Sequence, residues 1–130
     1  MNTDISVEEG LFFSGHEGAL PVYAALRETL YARFPGIGQR VQKTQITFFD
    51  RHVFACVSFA RVKRKAEMPE NFLVLTLGLP APLNSPRAAV KTEAYPGRWT
   101  HHFVLSSPDD LDGEMLDWVA QAHAFSLQKR

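Results

Sequence analysis

Cysteine is almost absent: Cys56 stands alone in 130 residues. One thiol closes no internal disulfide, so a reducing compartment is the expected setting. Long apolar runs are missing too, and no stretch approaches the roughly 18–20 consecutive apolar residues that a membrane-crossing helix needs. Net charge is zero, with 14 Lys and Arg against 14 Asp and Glu. That balance disfavours nucleic acid as a partner, because domains that bind it are commonly strongly basic. The opening residues Met1 to Ser6 carry neither the basic stretch nor the apolar core of a secretory signal. A cytoplasmic protein is the expectation.

Several chemical signatures are missing as well. No Gly-Lys-Ser/Thr string offers a phosphate loop, and no Gly-x-Ser-x-Gly string offers a nucleophile elbow. An acid-x-Lys nuclease site needs a carboxylate two residues before a lysine. Before Lys43, Lys63, Lys65, Lys91 and Lys129 stand Val41, Arg61, Lys63, Ala89 and Leu127 instead. His16, His52 and His123 show no ligand spacing, and His101 and His102 are neighbours whose side chains leave a strand on opposite faces. Asp109, Asp110, Asp112, Glu114 and Asp117 lack the alternating pattern of a calcium loop and suit a helix start. No cofactor and no metal are expected, and Cys56, among Phe54, Ala55 and Val57, reads as a buried, inert thiol.

What is present is hydrophobic periodicity. Ser6 and Glu9 match a capping box and predict a short helix over Val7–Phe13. Leu20, Tyr23, Leu26 and Leu30 recur at helical spacing, with Pro21 in the first turn and Pro35-Gly36 as the stop. Gln45–Phe49 and Val53–Phe59, separated by Asp50-Arg51-His52, read as a hairpin. Phe72–Leu77 is apolar enough for a central strand. A short strand near Ala88–Thr92 follows a proline-rich connection, and Arg98–Leu105 is a further strand. Ser107-Pro108-Asp109-Asp110 then opens a last helix, whose stripe is Leu111, Met115, Trp118, Val119 and Ala122.

These elements predict an α+β fold: a mainly antiparallel sheet of four to six strands, with two N-terminal helices and one C-terminal helix on one face. One domain spans 1–130, with a helical part at 6–34, a β-meander at 38–106 and the last helix at 108–125.

Charge divides along the chain despite its zero sum. Residues 39–65 hold Arg40, Lys43, Arg51, Arg61, Lys63, Arg64 and Lys65 against Asp50 alone. Residues 1–28 hold Asp4, Glu8, Glu9, Glu17 and Glu28 against Arg27. Strand alternation puts Lys43, Gln45 and Thr47 on one face, Arg61, Lys63 and Lys65 on one face, and Arg98, Thr100 and His102 on one face. If register aligns these sets, with Thr76 beside them, the uncovered sheet face becomes a cationic wall. A solvated antiparallel sheet face carries a similar composition.

In order along the chain, Lys43-Thr44-Gln45-Ile46-Thr47-Phe48, then Phe54, then Pro96-Gly97-Arg98-Trp99-Thr100-His101-His102, then Ser107-Pro108-Asp109-Asp110-Leu111-Asp112, resemble the domain-of-unknown-function family numbered 5655. Ala19–Leu30 resembles that family's opening segment, and the likeness runs from about Val7 to Phe125. Many members have a Gly-His-Trp-Gly string where this chain has Arg98 to His102. The resemblance implies a small α/β domain of bacterial or archaeal type, with no established reaction and no catalytic residue to carry over.

The functional expectation is a binding domain whose cationic face takes an anionic small molecule or partner. Lys43, Arg61, Lys63, Arg98 and His102 would supply charge, and Gln45, Thr47 and Thr100 hydrogen bonds. A homodimer is compatible with this reading. The alternative is an enzyme for an anionic or phosphate-containing substrate, with His102 as general acid or base. A third use of the surface is an aromatic anchor such as Trp99.

Overall fold

A computed structural model describes residues 5–129. The reading of the chain start rests largely on residues 1–4, which lie outside the described residues, as does Asp4 in the acidic count. Three helices and six strands follow in order: α1 (Val7–Phe12), α2 (Leu20–Arg33), β1 (Gly38–Val41), β2 (Gln45–Phe49), β3 (Val53–Ser58), β4 (Leu73–Leu79), β5 (Ala88–Tyr95), β6 (Arg98–Leu105) and α3 (Gly113–Leu127). All neighbouring strands are antiparallel, in the order β1-β2-β3-β4-β6-β5. The fold is α+β, as the periodicities predict.

Period-two alternation explains the layering. Ile46, Phe48, Ala55, Val57, Leu75, Leu77, Phe103 and Leu105 share one sheet face through their register. They join Tyr23, Leu26 and Leu30 of α2 and Met115, Trp118 and Val119 of α3 in one core. The opposite face carries Gln45, Thr47, Cys56, Ser58, Thr76, Thr100 and His102. No described helix is long and apolar enough to cross a membrane.

Four local expectations change. β3 stops at Ser58, so Arg61 and Lys63 are exposed loop residues, Lys65 opens a 3-10 turn (Lys65–Glu67), and the three share no strand face. Pro108–Asp110 is a separate 3-10 turn held by the Ser107–Asp110 capping box, and α3 starts later, with the Asp112 carboxylate accepting the Met115 N–H at 3.0 Å. Two acidic caps in close succession make two short helical starts where the sequence suggests one. β5 extends to Tyr95, and β6 inserts between β4 and β5, so the meander ends at β4. The 80–87 connection therefore crosses to the far edge. It is pinned there by the Leu83 N–H, which donates to His101 Nε2 at 3.0 Å, and by Lys91 Nζ, which donates to the Leu83 carbonyl at 2.6 Å.

Candidate ligand-binding site

The register separates the residues that strand alternation groups together. Because neighbouring strands are antiparallel, the β1–β2 turn and the end of β3 lie at one end of the sheet, and the β5–β6 turn lies at the other. Gln45 pairs with Ser58, Ser58 with Val74 and Val74 with Val104. Arg98 is six residues up β6 from that row and three strands across, which puts it about 25 Å from Gln45. Lys43 and Arg98 therefore occupy opposite corners, and the proposed common wall does not form around both. Arg98 is exposed beside the β5–β6 turn, with Thr100 next in from it on the same face.

Thr47, Cys56, Thr76 and His102 make a single row across the middle of the uncovered face. His102 Nδ1 lies 2.8 Å from Thr76 Oγ1, and burial pushes the imidazole below its ordinary range. Burial pushes the Cys56 thiol up, only partly offset by its hydrogen bond with Thr76. Thr76 thus links His102 and Cys56, while the buried Thr47 hydroxyl has no hydrogen-bond partner among the described residues. Trp99, named as an anchor, is half-buried beside Leu79 on the helix-covered side.

A cavity of about 540 Å³ opens at the other group, where β1 turns into β2 and β3 ends. Lys43, Thr44 and Gln45 come from the turn, and Ser58 from the end of β3. Phe12 from α1 and Phe59 form the apolar side, packed face to face at 5.3 Å between centroids. Gly15 adopts φ 84°, a left-handed conformation that glycine takes without strain. It turns the chain so that His16 lies flat on Phe59, with centroids 3.9 Å apart and planes 10° apart. Among the described residues Lys43 makes no ion pair, and the Gln45 amide donates to Gln42 Oε1 at 3.2 Å. A groove of about 290 Å³ continues from Phe12 and Lys43 past Glu8, Leu11 and Val41. His102 lines neither the cavity nor the groove.

Sequence reasoning brings Lys43 and Gln45 to this cavity and misses Phe12, Ser14, His16, Ser58 and Phe59. The one available signal was Phe59 itself, a large apolar residue at the end of a strand and followed by a basic loop. The other missed cluster is interior. One oxygen of Glu9 accepts the Ser6 N–H at 2.9 Å, and the other accepts Arg27 Nε at 2.8 Å and the Tyr23 hydroxyl. Burial alone would raise the Glu9 carboxyl. Hydrogen bonds from Gln39, Tyr23, Ser6 and Arg27 outweigh it and hold the group below the usual carboxylate range. Tyr31 donates to Gln39 Oε1 at 2.7 Å, extending the cluster to β1. This cluster locks α1, and with it the Phe12 wall, onto α2.

Among the described residues no three His, Cys, Asp or Glu side chains gather to hold a metal. A family model described as "Domain of unknown function (DUF5655)" matches residues 9–126. No curated protein and no solved structure matches the chain.

Proposed function

The chain belongs to the DUF5655 family, and we propose that it serves as a binding domain for a small anionic ligand, held in the cavity at the β1–β2 turn. One observation carries the reading: a concavity of about 540 Å³ that joins an unpaired cation, Lys43, to an aromatic wall. Its size lies within the roughly 300–1,000 Å³ of small-molecule sites, and polar side chains share its lining with the aromatic wall. Lys43 supplies charge at the mouth, and Gln45, Thr44 and Ser58 supply directional hydrogen bonds. Arg61 and Lys63 follow Ala60 of the cavity wall and add positive potential at the rim, which steers anions inward at low ionic strength. We place the protein in a bacterial cytoplasm on the strength of its family resemblance and single cysteine.

The test is thermal melting at low salt against sulfate, phosphate, acetate, benzoate and a nucleoside monophosphate. A ligand that prefers the folded state raises Tm with concentration. At least one anion is expected to give a rise of several degrees that Lys43→Ala abolishes while its own unliganded Tm stays unchanged. No shift across the panel, or shifts untouched by Lys43→Ala, would refute the reading.

A further inference from the structure

Resting on that reading, the cavity also indicates what kind of anion fits. Phe12, Phe59 and His16 form a continuous pile of rings: Phe12 on Phe59 with planes 24° apart, and Phe59 on His16 with planes 10° apart. Phe13 closes the pile from the edge, its ring meeting those of Phe12 and Phe59 at 75° and 88°. Phe59 therefore has two near-parallel aromatic neighbours. His16 ends the pile, and its side chain is exposed at the cavity. An apolar wall that only had to exclude water needs no ring stacking, and aliphatic side chains would do as well. A pile of near-parallel rings ending in an exposed, polarisable ring is a surface on which another flat ring stacks.

We propose that the cavity takes a planar aromatic anion, with its ring extending the Phe12–Phe59–His16 pile and its charged group on Lys43. A ring bearing a phosphate or carboxylate spans the two features because both line one cavity. The shared chemistry is a flat π-face beside one anionic substituent. Aryl phosphates, aryl carboxylates and nucleoside monophosphates all carry it.

The experiment compares binding of phenyl phosphate, cyclohexyl phosphate and inorganic phosphate to the whole chain at low salt by isothermal titration. Phenyl and cyclohexyl phosphate share charge and approximate size and differ in the flat ring. Phenyl phosphate is expected to bind about three- to tenfold more tightly than cyclohexyl phosphate, the range that ring stacking contributes. Phe59→Leu, which keeps an apolar side chain, and His16→Ala are each expected to shrink that ratio toward one. Lys43→Gln is expected to weaken both organic phosphates equally. Equal affinity for phenyl and cyclohexyl phosphate, or a preference unchanged in both Phe59→Leu and His16→Ala, would overturn the aromatic assignment and leave the anion site standing. Binding of none of the three phosphates would overturn the aromatic phosphate site together with its premise for phosphate. Adenosine and uridine monophosphate and benzoate, titrated in parallel, separate nucleotide from simpler aryl sources.

Discussion

Two polar clusters lie on either side of helix α1, and they are built in opposite ways. On its inner side, Glu9 is fully buried with Tyr23 and Arg27, and its carboxylate accepts from Ser6, Tyr23, Arg27 and Gln39. At its C-terminal end, Phe12 faces a cavity where Lys43 is exposed and makes no ion pair among the described residues. A buried charge persists only when paired, because desolvation is costly. The inner cluster is therefore complete within the protein. The outer one is chemically incomplete, since its cation lines a concavity and makes no ion pair among the described residues. The contrast assigns the first cluster to holding α1 in place and the second to a ligand.

Breaking the inner cluster should have the largest effect. Glu9→Gln removes the buried carboxylate that Arg27 Nε and the Tyr23 hydroxyl meet and is expected to lower stability by about 3–5 kcal/mol, measured by urea denaturation. The native Glu9 carboxyl is depressed, so its contribution is present above the unfolded value of about 4.5. It is lost as pH falls through the lower folded value. The acid limb of a stability-against-pH curve is accordingly expected to flatten in Glu9→Gln. Replacing Glu9 and Arg27 together by Leu and Met is expected to cost much less than Glu9→Gln alone, because no buried charge is then stranded. A double variant as unstable as the single one would show that packing, not charge pairing, holds α1.

A smaller effect belongs to His101, on the helix-covered face. Burial pushes its imidazole below the ordinary value of 6.5, and its Nε2 accepts the Leu83 N–H. Protonation at Nε2 removes that acceptor. The unfolded chain binds this proton more readily than the folded one, so the contribution is whole above about pH 6.5 and declines as pH falls toward the folded value. His101→Gln is expected to show a shallower loss of stability between pH 7 and 5 than the native chain. The Leu83 amide resonance is expected to move over the same interval, tying the loss to the 80–87 connection.

The smallest effect on stability is expected at the cavity. Lys43→Ala removes an exposed side chain that makes no ion pair among the described residues, and should change the unfolding free energy in urea by less than about 0.5 kcal/mol. Its consequence is confined to anion-dependent stabilisation. A large loss of stability in Lys43→Ala would erase the distinction between the two clusters.

How much of this could be read from the residues depends on range of interaction. Local patterns were legible: Ser6 and Glu9 do form the capping box, and of the stripe on α2, Tyr23, Leu26 and Leu30 are buried with Leu20 half-buried against the core. The hairpin around Asp50–His52 is present, and the alternation of Ile46 and Phe48 against Gln45 and Thr47 is the division between the covered and open faces. Long-range placement was not legible. Lys43 and Arg98 each sit beside a hairpin turn, and only the strand order, with β6 inserted before β5, reveals that those turns lie at opposite ends. Arg61 and Lys63 alternate as a strand would, but no neighbour extends past Ser58 to pair with them. Glu9 was legible as the capping partner of Ser6 but not as the partner of Arg27, because the pattern of either helix alone does not disclose that the two meet. The cavity itself arises from Gly15, which brings His16 back over Phe59, a contact between segments 43 residues apart.

Amide chemical-shift mapping during titration with phenyl phosphate tests the assignment of the open cluster most directly. Perturbations are expected to concentrate at residues 12–16, 43–45 and 58–60, with Arg98, Thr100 and His102 left unmoved. Saturable shifts centred on the Arg98–His102 strand, with the β1–β2 turn silent, would contradict it.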